Sequence, residues 1–285
     1  MKLLVEYSNK NHSSISSVDG IILPLKGFSV ESMNFYTLEE IEEICRHSNV
    51  DVYVKLNKNF MNEEIDSLKE ILMRLDALKI SGVFFYDLAV LEFKRELNLQ
   101  LPLIWNQTHM VNNYRTCNYY YSRGVEYALL GKEITLEEIL EIADKSDIST
   151  MVEVVSKPSV AFSKRKLLTN YYTDANMEKQ NELTVKEKVT NENYHLYENE
   201  DGTSFFLDIV TNGTGVIKDL YDGGVDFIIM REYGLEDLFD DLIKDTFTYL
   251  NNKCNDSSYV DKYKKLGDST NFFFKKTIYK VKKNG

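Results

Sequence analysis

The feature that most constrains this chain is an alternation. Short apolar runs rich in β-branched residues are followed, again and again, by longer runs with helical spacing. The strand-like runs are Lys2–Tyr7, Gly20–Leu25, Asp51–Leu56, Gly82–Tyr86, Leu101–Trp105, Glu126–Leu130, Thr150–Val155 and Val225–Met230. Runs this short read as buried strands. Two helix starts are marked by Thr37-Leu-Glu-Glu40 and Thr135-Leu-Glu-Glu138, in which a hydroxyl and a carboxylate satisfy free amides reciprocally. Leu38, Ile41 and Ile44 continue the first, and Ile139, Leu140 and Ala143 the second. Ile65, Leu68, Leu72, Leu75 and Leu78 form one helical face, Leu88–Leu97 another helix, and Leu235–Leu250 a closing amphipathic helix. Eight strands, most with a following helix, predict an α/β fold: a closed (β/α)8, TIM-like barrel. A chain of 285 residues, 43% hydrophobic, can fill one such barrel.

The pattern breaks once. Residues 157–212 are polar and Asn/Glu-rich, with strand-like pieces at Tyr194–Tyr197 and Phe205–Ile209 and a Glu200-Asp-Gly-Thr203 turn. They predict a β-rich insertion over the barrel mouth, between the seventh and eighth strands. The division is then residues 1–156 for seven barrel strands, 157–212 for the insertion, 213–252 for the last strand and closing helix, and 253–285 for a basic C-terminal extension. Within that extension Phe272–Val281 alternates like a strand.

The net charge of −11 is unevenly spread. Lys262–Gly285 carries eight Lys and one Asp, so the remainder of the chain stands at −18. An acidic body disfavours a broad nucleic-acid footprint, because phosphate neutralisation supplies most non-specific affinity. The basic end could give a local one, and a solvated terminal strand is the plainer reading. No apolar run reaches transmembrane length, and the N-terminus is too short for a signal-peptide core. Cys45, Cys117 and Cys254 are widely spaced. The expectation is a reduced, cytoplasmic protein without disulfides and without a membrane partner.

In such barrels the chemistry sits where strands end. Those positions bring forward Asn57, Asp87, Asn106, Gln107, Thr108, Lys132, Glu133, Arg231 and Glu232, with Glu153 on the seventh strand and Lys157, Lys164 and Arg165 just beyond it. The candidate catalytic groups are Glu133, Glu153, Arg165 and Arg231. The candidate substrate-binding groups are Asn57, Asp87, Asn106, His109, Lys157 and Lys164. For any one of them the alternative is an ion pair that holds the rim. His12, His47, His109 and His195 are isolated and no HExxH occurs, so no metal site is expected. Ser163 lacks a GxSxG elbow and reads as a turn or cap serine.

Several segments, in order, resemble the peptidase U32 (collagenase-like) family. They are Gly82-Val-Phe-Phe-Tyr-Asp87, Asn106–Gly124, Leu130–Ile139, Glu153 with Phe162-Ser-Lys-Arg165, Tyr194–Thr203 and Phe274–Val281. The chain departs from the signature in having Lys157-Pro158 where members usually carry His-Gly, and in having no cysteine between Cys117 and Cys254. It therefore looks like the short subgroup without an iron–sulfur cluster. The resemblance implies a part in oxygen-independent hydroxylation of tRNA at the wobble uridine, giving 5-hydroxyuridine, with tRNA and a paralogous U32 subunit as partners. It also implies a prephenate-derived oxygen donor, whose carboxylates would suit Lys157, Arg165 and Arg231. The competing expectations are a protease, as the family name says, and a non-catalytic partner subunit.

Overall fold

The computed structural model describes residues 1–7, 14–107, 109–189, 191–235 and 237–267. The first half of the chain runs β1 (Lys2–Glu6), β2 (Gly20–Pro24), α1 (Leu38–His47), β3 (Asp51–Leu56), α2 (Ile65–Leu78), β4 (Gly82–Phe85), α3 (Ala89–Glu96), β5 (Leu103–Trp105), α4 (Tyr114–Tyr121), β6 (Tyr127–Leu129), α5 (Leu136–Lys145) and β7 (Ser149–Ser156). The second half runs β8 (Ser159–Ser163), α6 (Leu167–Asp174), β9 (Glu182–Lys186), β10 (Asn193–Glu198), β11 (Thr203–Leu207), β12 (Thr211–Asn212), α7 (Ile217–Asp222), β13 (Phe227–Arg231), α8 (Phe239–Asn251) and α9 (Ser257–Tyr263).

Strands β1 to β7 pair in parallel in chain order, and β13 pairs in parallel with both β7 and β1. The sheet is thereby closed: eight parallel strands with helices outside, the expected TIM barrel. Both capping boxes form, with Thr37 and Thr135 each accepting from the amide three residues on.

Period-two alternation sorts the strand residues into two cores. Leu3, Val5, Val52, Val54 and Ile228 face outward into the layer beneath the helices. Leu4, Ile22, Tyr53, Phe84, Ile104, Met151, Phe227 and Ile229 fill the barrel interior. Tyr53 meets Phe84 and Phe227 edge-on there, with ring centroids 6.3 and 6.5 Å apart, so the interior is packed solid below its mouth.

Between β7 and β13 lies a second sheet, antiparallel, in the order β8-β11-β10-β9. It packs Leu196, Leu183 and Phe205 against Leu168 and Tyr172 of α6. The buried Glu198 carboxylate accepts from the amides of Leu168 and Thr169 and from the hydroxyls of Thr169 and Thr203, which anchors the helix start to the sheet. The chain returns to the barrel through β12, which adds antiparallel to β7.

The expected boundaries need several corrections. Within Asn106–Gly124, where no helix is expected, α4 forms, started by Asn113 accepting from the Thr116 amide. Gly213-Thr-Gly215 leads into a 3-10 turn and then α7, a helix absent from the expected last strand and closing helix of residues 213–252. The closing helix begins at Phe239, four residues later than its periodicity suggests. The first residues of the C-terminal extension form α9, while the Phe272–Val281 strand expectation lies outside the described residues, as do His12 and Thr108.

Candidate active site at the barrel mouth

The alternation that fills the barrel also builds its mouth. Going two residues on from inward-facing Leu4, Tyr53, Ile104, Met151 and Ile229 gives Glu6, Lys55, Asn106, Glu153 and Arg231. These charged and polar side chains therefore form the next layer above the apolar interior, and all five line one small cavity of about 40 Å³ together with Lys132.

Unpaired charges could not persist at this depth, and the geometry pairs them. Arg231 donates to Glu6 Oε1 at 2.8 Å and to the Glu31 carbonyl. Lys55 donates to Glu6 Oε2 and to Ser32 Oγ, each at 3.0 Å. Lys132 lies 2.6 Å from Glu153 Oε1. Burial alone would raise the Glu6 pKa, but Arg231 and Lys55 outweigh it and hold the carboxyl at about 2. Burial also opposes ionisation of Glu153, and Lys132 and Arg231 again hold it below the usual carboxylate range. Burial pushes Lys55 down, with Glu6 opposing. Three cations, Lys55, Lys132 and Arg231, face three carboxylates, Glu6, Glu31 and Glu153, around this cavity, so its charges balance. Arg231 Nε is buried and makes no hydrogen bond among the described residues.

A wider cavity of about 270 Å³ opens above this layer, sharing Glu31 and Lys132 with it. Its walls include Asn57, Tyr86, His109 and Glu133, and one side is Pro158–Phe162 at the start of the insertion. Glu31, which reaches both cavities, has φ of 58°. That is a left-handed conformation costly for a side chain of this size and often found at functional sites. It is held in place because Asn57 Oδ1 accepts from the Val30 amide at 3.0 Å.

The sequence candidates divide on this geometry. Glu153, Arg231 and Asn106 sit in the inner layer. Glu133, His109 and Asn57 line the outer cavity, with His109 Nδ1 3.4 Å from Glu133. Asp87 is not brought to the mouth cavities: it accepts from the amides of Phe60 and Ala89 at 2.9 Å each and ties two loops together. Lys157 pairs with Asp208 at 2.7 Å and lies over the Tyr233 ring, itself packed on Phe206 and His195, so it pins the insertion to the rim. Lys164 donates to the Asn59 carbonyl at 2.9 Å and does the same from the other side. Arg165 is exposed and lines neither cavity. The grouping of Arg165 with Arg231 is thus corrected: β8 runs on to Ser163, carrying Arg165 up into the insertion and away from the strand end.

Sequence reasoning missed Glu6, Lys55 and Lys58. Lys58 is buried, pairing with Glu64 at 2.7 Å and with Asp201 of the insertion turn at 3.2 Å. For Glu6 and Lys55 a signal existed: a charged residue in phase with the inward apolar positions of its own strand. Cys45, Cys117 and Cys254 are free and lie on or after three different helices. Among the described residues no three His, Cys, Asp or Glu groups are arranged to hold a metal, and no helix is long and apolar enough to cross a membrane.

Comparison with known proteins places this architecture. A family model described as peptidase family U32 matches residues 18–229. The chain is 26% identical over 261 residues to tRNA hydroxylation protein P2 of Bacillus subtilis (strain 168), covering 83% of this chain and 84% of that one. It is 24% identical over 141 residues to tRNA hydroxylation protein P1 of the same organism, covering 48% of this chain and 33% of that one. A solved structure of a U32 peptidase superposes with a TM-score of 0.50 at 14% identity, covering 82% of this chain and 94% of the other. At that identity the likeness concerns the fold.

Proposed function

The chain belongs to peptidase family U32, and from that premise we propose that it takes part in tRNA hydroxylation, converting the wobble uridine to 5-hydroxyuridine in the cytoplasm together with a paralogous U32 subunit. The observation that carries this reading is the similarity to tRNA hydroxylation protein P2 along most of both chains. The similarity to P1 of the same organism supports a paired arrangement. The protease reading draws on the family description, and no grouping among the described mouth residues favours it.

The mouth supports a division of labour. The outer cavity is large enough for an unstacked base, which is how enzymes commonly reach a base atom. The inner cavity is too small for a base but suits a small anionic group. The buried Arg231 Nε, which makes no hydrogen bond among the described residues, favours a carboxylate, which guanidinium groups bind directionally. Turning a C–H into a C–OH removes two electrons from the base, so a second substrate must supply oxygen and accept them. We propose a carboxylate-bearing, prephenate-derived donor, held by Arg231 and Lys132, with Glu153 and Glu133 as the groups that move protons. Lys157 and Arg165 take no part in holding it, one being committed to Asp208 and the other facing solvent.

The test is nucleoside mass spectrometry of tRNA from cells with and without the gene. Loss of 5-hydroxyuridine-derived nucleosides is expected, restored by the wild type and not by Glu153→Gln. An unchanged profile, both in this deletion and in a double deletion with the paralogue, would end the reading.

A further inference from the structure

In a chain with 45 acidic residues, the stretch from Leu97 to Val125 contains no Asp or Glu. No other acid-free stretch in the sequence is as long. It begins under the barrel, supplies Asn106 to the inner cavity and His109 to the outer one, and then becomes α4 on the outside. Its sequence there is Tyr-Arg-Thr-Cys-Asn-Tyr-Tyr-Tyr, followed by Ser122 and Arg123.

The outer face of α4 is aromatic and cationic together. Tyr119 is 54% and Tyr121 49% exposed, far more than burial-seeking rings of this size need be. Arg123 lies over the Tyr119 ring at 5.0 Å, and Arg115 over the Tyr114 ring at 5.6 Å. Arg46, Arg74, Arg95 and Arg231 are each ion-paired. Arg115 and Arg123 make no ion pair among the described residues; they rest on tyrosines instead. Between α3 and α4 is a groove of about 180 Å³ whose walls include Leu88, Tyr119, Arg123 and the Glu92–Arg95 ion pair, 2.5 Å apart.

We propose that this face is an RNA-contacting surface separate from the mouth, in which Tyr119 and the groove take an unpaired base and Arg115 and Arg123 meet the flanking phosphates. This rests on the reading of the substrate as tRNA. Rings with an exposed π-face stack bases without regard to sequence. An Arg plane laid on a ring keeps its N–H groups for phosphate. Tyrosine and arginine also mark protein interfaces, but a protein partner gives no reason to exclude carboxylates from so long a stretch. A polyanion does, since carboxylates in the stretch would repel it, and the Glu92 carboxylate across the groove is offset by Arg95.

The experiment measures binding of the full chain to unmodified tRNA by fluorescence anisotropy across a salt series. The variants are Arg115→Glu/Arg123→Glu and Tyr119→Ala, with Arg115→Gln/Arg123→Gln in reserve should the charge reversal melt early. The Arg pair should bind at least ~10-fold more weakly, with the log–log salt slope reduced by about two, one for each phosphate that is no longer neutralised. Tyr119→Ala should weaken binding with little change in slope. Unchanged affinity and slope, or a wild type that binds no tRNA, overturns the inference. So does a variant that keeps its RNA affinity but no longer co-purifies with its paralogue, since the face is then a protein interface. The cellular nucleoside profile is read separately. If it is unaffected by deletion while the Arg variants still lose tRNA, the hydroxylation reading fails and this surface stands.

Discussion

Glu6 on the first barrel strand and Arg231 on the last are register partners, and their side chains meet at 2.8 Å across the seam where the barrel closes. One ion pair thus belongs both to the closure of the fold and to the floor of the candidate site. A buried pair of this kind contributes modestly as a pair but leaves a costly charge behind when broken. Arg231→Ala should therefore lower the unfolding free energy by about 3–5 kcal/mol. Glu6→Gln should also destabilise, because Arg231 and Lys55 then face each other without their shared carboxylate. The double change Glu6→Gln/Arg231→Ala should cost less than the two single losses combined, which urea denaturation of the wild type, both single variants and the double variant would reveal as a coupling energy. Strict additivity would mean that the seam does not depend on this pair.

The same carboxylate sets a pH dependence. The Glu6 pKa falls from an ordinary 4.5 to about 2 in the folded chain. Between these values the unfolded chain binds the proton and the folded one does not, so this contribution is fully present above about pH 5. It is lost as pH falls towards 2, and amounts to a few kcal/mol on the order-of-magnitude rule of about 1.4 kcal/mol for each pKa unit. Glu153, also held low, adds to the same window. Denaturation midpoints followed from pH 7 to pH 2 should decline more shallowly in Glu6→Gln than in the wild type. Parallel declines would show that other groups govern acid unfolding.

The barrel is legible in the sequence because its signals are local. Capping boxes at Thr37 and Thr135 and apolar runs of strand length depend on neighbours a few residues away. The site is half legible for a related reason. The rule that strand ends carry chemistry finds Glu153, Arg231 and Asn106, and the same rule brings in Asp87, which instead binds two loop amides. Whether a strand-end side chain turns into the mouth or into a loop depends on register, and register is a property of strand pairs. Glu6 and Lys55 escape the rule because the strand-like runs extend to Tyr7 and Leu56 and so place both before the strand end, yet their phase with Leu4 and Tyr53 is present in the sequence. Arg165 is misplaced by it because Pro158 reads as the end of the strand region, whereas β8 begins at Ser159.

The insertion depends on one turn that tolerates little change. Gly202 has φ of 149°, and a Cβ there would collide with the Ser163 carbonyl and the Phe162 ring. Gly→Ala stabilises by up to ~1 kcal/mol where the backbone is compatible, and here, where it is not, Gly202→Ala should destabilise by more than that. The loss should be local. Hydrogen exchange should quicken across β10, β11 and α6, whose start hangs on Glu198, while the amides of β1 to β6 stay protected. Equal acceleration in barrel and insertion would show that the two unfold as one unit.

Lys132 and Glu153 allow the chemistry of the floor to be tested apart from its stability. Glu153 is buried, which favours its neutral form, and Lys132 at 2.6 Å is the largest influence keeping it charged. Lys132 itself keeps partial contact with solvent, so Lys132→Met should leave the fold intact. In that variant burial outweighs the more distant Arg231, and the Glu153 carboxyl should titrate at higher pH than in the wild type. The ¹³C shift of the labelled Glu153 carboxyl, followed against pH, reads this directly. The rate should fall, since Lys132 is also proposed to hold the donor, and the acid limb of the remaining hydroxylation profile should move up in step, because a carboxylate in the proton-accepting role proposed for Glu153 works when ionised. A Glu153 titration that moves while the activity profile stays put would remove Glu153 from the reaction and leave it as a support for Lys132. A titration that does not move would mean that Arg231 alone holds the charge on this carboxylate.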